Sequence, residues 1–395
     1  MSRPLRPPTT TDDVRLRGFA DRVPVERVLA WIDRHAAAPR AVDVPAAEAA
    51  GRVVAGTVRA AEDLPAIGRA GEDGYAVRAA DTFGASAYGP VTLSVVAGAE
   101  ALPAGAAMLV AAGTAVPSGA DAVLGFDAAV ASGGALEVIA AVAPGSGVEP
   151  PARLVRGGEA LVSARRRLRP VDLALLAAAG IERVPVVAAP RVRVVVAGPK
   201  GAGGDAHTSM LCALVARDGG TVEVSRGAAA LRDELARPGA DVLVATGRTG
   251  AGADDDAPSV LGAVGELAFH GVALRPGGSA AVGIAAGRPV VLLPGDPLAC
   301  ACAYEVLAGR LVRLLAGRDG GLPHRTCEAA VRRKIVSAIG SVDVCQVRLV
   351  EGGAEPLGVA EFGGLGAAAR ADGFVLVPAA LEGWPPGSRV TVHLH

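Results

Sequence analysis

Aromatic residues make up only 3% of this 395-residue chain, which leaves little for stacking nucleobases or building aromatic cages. Lysine is nearly absent too. Lys+Arg total 39, but only Lys200 and Lys334 are lysines, and the arginines are scattered rather than run together. With a formal net charge of −1, nucleic acid is not an expected partner. The five cysteines (Cys212, Cys300, Cys302, Cys327, Cys345) form no CxxC pair, and their odd number argues against a disulfide framework and for a reducing compartment. Hydrophobic content is 51%, with a mean hydropathy of +0.40. Even so, no run reaches the roughly 18 uninterrupted apolar residues of a spanning helix, so no membrane is expected. The opening MSRPLRPPTTTDDVRLR lacks the apolar core of an export signal, so export is not expected.

What is present is abundant Gly (53) and Pro (28) punctuating Ala- and Val-rich segments, in a chain long enough for roughly two to four domains. Residues 1–18 are Pro/Thr-rich and read as a flexible tail. Val23–Arg34 carries apolar residues at helical spacing, and Pro45–Gly51 reads as a second, short helix. From Leu64 the texture changes to short Val-rich segments separated by Gly, the pattern of a β insertion over 64–144. Arg169–Gly180 is a helix with a Gly stop. The residues flanking the insertion, 19–63 and 145–188, read as one N-terminal linker domain.

Strands and helices then alternate. Strand patterns fall at 191–198, 221–226, 241–247 and 290–295, and helix patterns at 208–220, 230–239 and 258–267. This predicts a doubly covered, mostly parallel α/β sheet domain over 189–320. A C-terminal β domain follows over 321–395, with strand patterns at 344–350, 373–379 and 389–395. The fold class is therefore multidomain α/β plus β.

The segment PVVLLPGDP (289–297) is a buried-type strand that empties into a Pro-Gly loop before the helical pattern ACACAYEVLAGRLVRLL. Such strand ends bind anions, because loop N–H groups and a helix N-terminus both face the ligand. TGRTGAG (246–252), followed by Asp254-Asp255-Asp256, is a second Gly-rich loop. Its backbone allows close approach of a ligand, and a downstream carboxylate can hold Mg²⁺ on a pyrophosphate.

Four collinear segments resemble the MoeA/gephyrin-type molybdopterin molybdenumtransferases. LPAIGRAGEDGYAVRAAD (64–81) is similar to the family segment ending in DGYAVR, and AGTAVPSGADAV (112–123) to its TGAPVPEGADAV. FHGVALRPGG with LLPGDP (269–297) is similar to its Pro-Gly and LPGNP loops, and ADGFVLVP with PGSRVTVHL (371–394) to its terminal β domain. The resemblance implies that the α/β domain is of the molybdopterin-binding type. It also implies a cytoplasmic homodimer, with 19–63 and 145–188 as its linker or dimerisation domain and a cleft between the sheet domain of one subunit and the β insertion of the other. The implied chemistry is cleavage of adenylylated molybdopterin with Mg²⁺, insertion of molybdate and release of AMP. The implied partners are the pterin substrate, a molybdopterin adenylyltransferase and client molybdoenzymes.

Carried over residue by residue, the resemblance gives catalytic roles to Asp73, Asp205 and Asp255, with Asp73 and Asp255 as metal ligands. Without it, Asp73 is an Asx-turn residue before Gly, Asp205 a helix N-cap, and Asp255 part of a solvated acidic run. Gly247, Arg248, Gly250 and Gly252 of the Gly-rich loop, Arg275 and Pro276 of LRPGG, and Pro294, Gly295 and Asp296 of the Pro-Gly loop would hold the pterin adenylate. His207 reads as a capping or solvated residue.

The sequence departs from the family pattern at polar site positions. Ala112 stands for a Thr, Pro199-Lys200 for the Asp-Glu of TGDEL, Gly68-Arg69 for an Asp-Asn, and Ala70 for a Ser. Asp127 stands for a Glu, Gly278 for a Lys, Asp296 for the Asn of PGNP, and Gly366-Ala367 for a Ser pair. Lys200 reverses the sign where a cation would sit. Asp296 puts a negative charge in an anion loop, and at about 4 Å and an effective dielectric near 20 such a contact costs about 4 kcal/mol. Lys200 and Arg248 are the candidate compensating charges. The framework residues Gly74, Gly113, Pro117, Pro276, Gly277, Pro294, Gly295 and Pro297 are intact. Three readings follow: a working molybdenumtransferase, a catalytically impaired relative acting as carrier, insertion partner or regulator, and a relative acting on another nucleotide-bearing pterin.

Overall fold

The computed structural model describes residues 13–37, 40–98, 100–197, 206–226, 230–358 and 364–395. Two of the sites anticipated above, Asp205 and Pro199-Lys200, lie outside the described residues. The chain divides into two compact units, Asp43–Val186 and a second formed by Met1–Val42 with Val187–His395.

The larger unit is built on a six-stranded sheet in the order Thr221–Arg226, Arg191–Val196, Val242–Thr246, Arg288–Leu293, Ala281–Ala285, Glu266–His270. The first four strands pair in parallel, and Ala281–Ala285 runs antiparallel to both of its neighbours, Arg288–Leu293 and Glu266–His270. The Val-rich runs work because successive residues face opposite sides and both sides are covered. Val192, Val194, Val242, Val244, Val291 and Leu293 pack under helix Ala206–Asp218, helix Val25–His35 and the helical stretch after Pro297. Val195, Leu243, Ala245, Val290 and Leu292 pack on Leu231, Leu235 and Leu261 of the opposite layer. Each such buried Val or Leu is worth about 1.5–3 kcal/mol relative to exposure, so neither face tolerates a polar residue cheaply.

Two sequence expectations are corrected. The helix expected over 258–267 is Ala257–Val264. A side chain at Gly265 would run into Ile284 O, so the chain leaves the helix there and Glu266–His270 pairs as an edge strand. The helix expected over Pro45–Gly51 is a single 3-10 turn, Ala46–Glu48, whose Ala46 N–H is drawn instead to Glu182 O at 2.8 Å.

After Leu293 the chain turns through Pro294 and Gly295 into Pro297–Ala303, a π-helical turn at Tyr304–Ala308, and Gly309–Leu315. The later part of this stretch buries charge. Arg313 Nη1 lies 2.8 Å from Asp218 Oδ2, and Arg217 reaches both oxygens of Glu305 at 2.6 and 2.8 Å. His324 Nε2 lies 3.2 Å from Glu305 Oε2. The C-terminal strands Thr326–Ala330, Val342–Val350, Gly373–Val377 and Arg389–Leu394 form an antiparallel sheet over their own core of Val347, Val375, Val377 and Val392. Leu274–Arg275 joins its edge in parallel, in register with Val342 and Asp343.

In the smaller unit, Gly74–Val77 sits between Ala122–Gly125 and Ala106–Val110 in a second six-stranded sheet. Gly74 is needed there, since a Cβ would strike Leu124 O. Helix Pro170–Ala178 starts where the Asp172 carboxylate accepts the Arg169 N–H at 2.8 Å, and Gly180 (φ 69°) follows its end.

Candidate active site

At the carboxyl ends of Val242–Thr246 and Arg288–Leu293 lies an open depression of about 310 Å³. Two Gly-containing loops and the start of the Pro297 helix wall it. The first loop follows Thr246, whose hydroxyl donates to Pro294 O at 2.7 Å and so ties the two strand ends together. Gly247 (φ 94°) and Gly295 then pass so closely that a Cβ on Gly295 would lie 3.4 Å from Gly247 Cα.

Of the anticipated residues, Arg248, Gly250, Asp255, Pro294, Gly295 and Asp296 line the depression together. Gly247, Gly252, Arg275 and Pro276 do not. Thr249, Gly277, Gly278, Ser279 and Ala299 also line it and were not anticipated as ligand contacts. A legible signal existed for Gly277, Gly278 and Ser279, which continue the RPGG turn. Thr249 and Ala299 carried none.

Asp255 closes its own loop. Its Oδ2 accepts the Gly252 N–H at 2.7 Å, and a Cβ at Gly250 would lie 2.7 Å from the same oxygen. Arg248, held at φ 59°, is engaged by its neighbours: Nε donates to Asp254 O at 3.0 Å and Nη2 lies 2.6 Å from Asp256 Oδ2. Its guanidinium is therefore paired within the acidic triplet rather than with Asp296.

Asp296 is the N-cap of helix Pro297–Ala303. Its Oδ1 accepts the Ala299 N–H at 2.8 Å, and its own carbonyl accepts the Cys300 N–H at 2.8 Å. Pro297 contributes no N–H. The expected anion cradle at this helix start is thus largely satisfied by the protein's own carboxylate, and anion recognition falls to the glycine loops. The negative charge that looked out of place in sequence has a structural task.

Arg275 is turned to the C-terminal sheet, with Nη2 3.0 Å from Oδ2 of the fully buried Asp343. It anchors the Pro276-Gly277-Gly278 turn instead of lining the depression. Thr249, 1% exposed, joins the two loops: its hydroxyl lies 3.1 Å from Ser279 Oγ and its carbonyl accepts from His270 Nε2 at 2.9 Å. Burial holds His270 below the ordinary histidine range, against the smaller opposing pull of that bond.

In the smaller unit, Asp73 is exposed and its Oδ1 accepts the Ala112 N–H at 2.8 Å. His207 is the second residue of helix Ala206–Asp218. Among the described residues no three His, Cys, Asp or Glu side chains cluster as a preformed metal cage. Mg²⁺ does not need one, since it keeps several waters and takes one or two carboxylates plus substrate phosphates. Asp255, a carboxylate lining the depression, fits that demand.

A parallel-sheet domain with a glycine-walled depression at its strand ends, joined to a separate β-rich unit and a terminal β sheet, defines a multidomain α/β ligand-binding protein. Residues 23–180 match the family model described as MoeA N-terminal region (domain I and II), and residues 183–313 match Probable molybdopterin binding domain. The chain is 31% identical over 342 residues to molybdopterin molybdenumtransferase 2 of Mycobacterium tuberculosis, covering 76% of this chain and 81% of the relative. It is 26% identical to molybdopterin molybdenumtransferase of Bacillus subtilis, covering 87% of each. The crystal structure of the molybdopterin biosynthesis MoeA protein of Pyrococcus horikoshii superposes with a TM-score of 0.76 at 30% identity, over 95% of this chain and 99% of that one. The chain belongs to the MoeA family of molybdenum cofactor biosynthesis proteins. Among the described residues no helix is long and apolar enough to cross a membrane.

Proposed function

We propose that the protein is a molybdopterin molybdenumtransferase that takes adenylylated molybdopterin, inserts molybdate and releases AMP. The observation that carries this reading is the depression itself, which lies in the matched molybdopterin-binding region and is lined by Gly250, Gly277, Gly278 and Gly295 together with Asp255. Gly250, Gly277 and Gly278 let the pyrophosphate approach the main chain, and the Thr249 and Ser279 hydroxyls join their loops. Asp255 and Asp73 each keep a proposed role as a Mg²⁺ ligand and in catalysis, and Asp205 keeps its proposed catalytic role. When bound, Mg²⁺ supplies charge neutralisation on the phosphoanhydride and polarises it for cleavage. We also propose the cytoplasmic homodimer, the hand-over from a molybdopterin adenylyltransferase and delivery to molybdoenzymes that the family resemblance implies.

The test is AMP release from adenylylated molybdopterin in the presence of Mg²⁺ and molybdate. Tight pterin binding with no AMP release would overturn the transferase reading in favour of a carrier. Asp255→Asn should lower AMP release at least about a hundredfold. It should leave the thermal midpoint nearly unchanged, because the Asn carbonyl still accepts the Gly252 N–H. Unchanged turnover would remove the metal role.

A further inference from the structure

The segment from Asp13 to Val23 runs along the outside of both loops that wall the depression, yet it contributes no lining residue. Leu16 N–H donates to Ala251 O of the Gly-rich loop at 2.8 Å. Phe19 meets His270 edge-on, with ring centroids 5.0 Å apart at 79°, and His270 Nε2 donates to Thr249 O. Arg22 turns the other way. Its Nε donates to Gly278 O at 3.3 Å, while its guanidinium carbon lies 5.1 Å from the Phe19 ring centroid. The chain beyond is pinned by Val23 N–H to Gly271 O at 2.9 Å and Ala273 N–H to Val23 O at 2.8 Å.

Phe19 therefore stands between two arms, one reaching the Gly-rich loop through His270 and the other the Pro-Gly-Gly loop through Arg22. Two glycines make room for it. Gly271 has φ 86°, and a Cβ there would lie 2.6 Å from Phe19 Cδ1; a Cβ on Gly278 would lie 3.0 Å from Arg22 Nε.

We propose that residues 13–23 form a brace that positions the two substrate loops, with Phe19, Arg22 and His270 as its positioning residues. The inference rests on the transferase reading for its kinetic consequence, and its structural part stands apart from that reading. Loops rich in glycine lose more conformational entropy on ordering than any others, so their productive geometry has to be imposed from outside. His270 supplies the Nε2–H, and the edge of Phe19 fixes the ring plane that aims it. Thr249 then passes the constraint to Ser279 across the depression.

The experiment compares full-length wild type, Phe19→Ala, Phe19→Tyr and Arg22→Met by hydrogen exchange and by steady-state AMP release. In Phe19→Ala, amides of 247–256 and 275–279 should exchange at least about tenfold faster while those of 242–246 stay protected. KM for adenylylated molybdopterin should rise on the order of tenfold with kcat within about twofold, since loop misplacement costs binding of the positioned substrate. Phe19→Tyr should restore both, and Arg22→Met should loosen 275–279 alone. Unchanged loop exchange in Phe19→Ala and Arg22→Met overturns the brace. Equal loosening of 242–246 also overturns it, because the role would then be general stability. Wild type that releases no AMP sinks the transferase reading, and the exchange comparison still decides the brace.

Discussion

The stretch that begins at Pro297 carries charges at both ends, and the two sets are built differently. At the cavity end, Asp296 is exposed and makes one backbone bond through its carboxylate, and Arg248 pairs with Asp256 where both side chains remain 26 and 32% exposed. At the other end Asp218 is fully buried, Arg313 is 3% exposed, and Glu305 is contacted by both Arg217 and His324. Water competes for the first set, so those pairs are cheap to rearrange when a ligand arrives. The second set is consumed internally and locks helix Ala206–Asp218, the π-helical turn and the chain entering the C-terminal sheet to one another. Like residue types thus serve recognition at one end and cohesion at the other, and burial decides which.

The largest expected effect is at the buried end. Asp218→Ala leaves Arg313 charged and without its carboxylate, which should cost about 3–5 kcal/mol in urea or thermal unfolding. A loss below about 1 kcal/mol would erase the contrast. Acid titration sharpens it next. Burial alone would raise the Glu305 pKa, but bonds from His324 and Arg217 hold it at about 2, against 4.5 for the free side chain. A depressed folded value stabilises above the unfolded one, so this contribution is complete above about pH 5 and drains away as pH falls from 4.5 towards 2. By pH 3 the loss should be on the order of 2 kcal/mol, and Glu305→Gln should flatten that part of the pH profile. The smallest effects belong to the cavity end. Asp296→Ala should cost about 1 kcal/mol as a lost cap, whereas Asp296→Asn should change stability by only a few tenths. Asp296→Asn should also tighten binding of the anionic pterin adenylate by about threefold to tenfold at low salt, with the gain shrinking as salt rises.

The parallel strands were legible because Val- and Leu-rich runs such as 191–196 and 242–246 bury both faces, and no other element tolerates that pattern here. Ala281–Ala285 was not, since AVGIA has neither alternation nor bulk, and its antiparallel pairing depends on neighbours distant in sequence. Glu266 and Leu267 were absorbed into a helix because nothing local announces that Gly265 abuts Ile284. At the site, the Asp-Pro pair at 296–297 is an N-cap signature, yet the anion-loop pattern drew attention to its charge instead of its geometry. The commitment of Arg275 to Asp343 depends on an inter-strand register across 68 positions, which no motif encodes. Asp205 and Lys200 fall outside the described residues.

The cap at position 296 bears on how such a loop can change over generations. Aspartate and asparagine codons differ by one base, and either side chain accepts the Ala299 N–H. The charge facing the depression is therefore heritable separately from the integrity of the helix, and a lineage can try both electrostatic states in a single mutational step without passing through an unfolded intermediate.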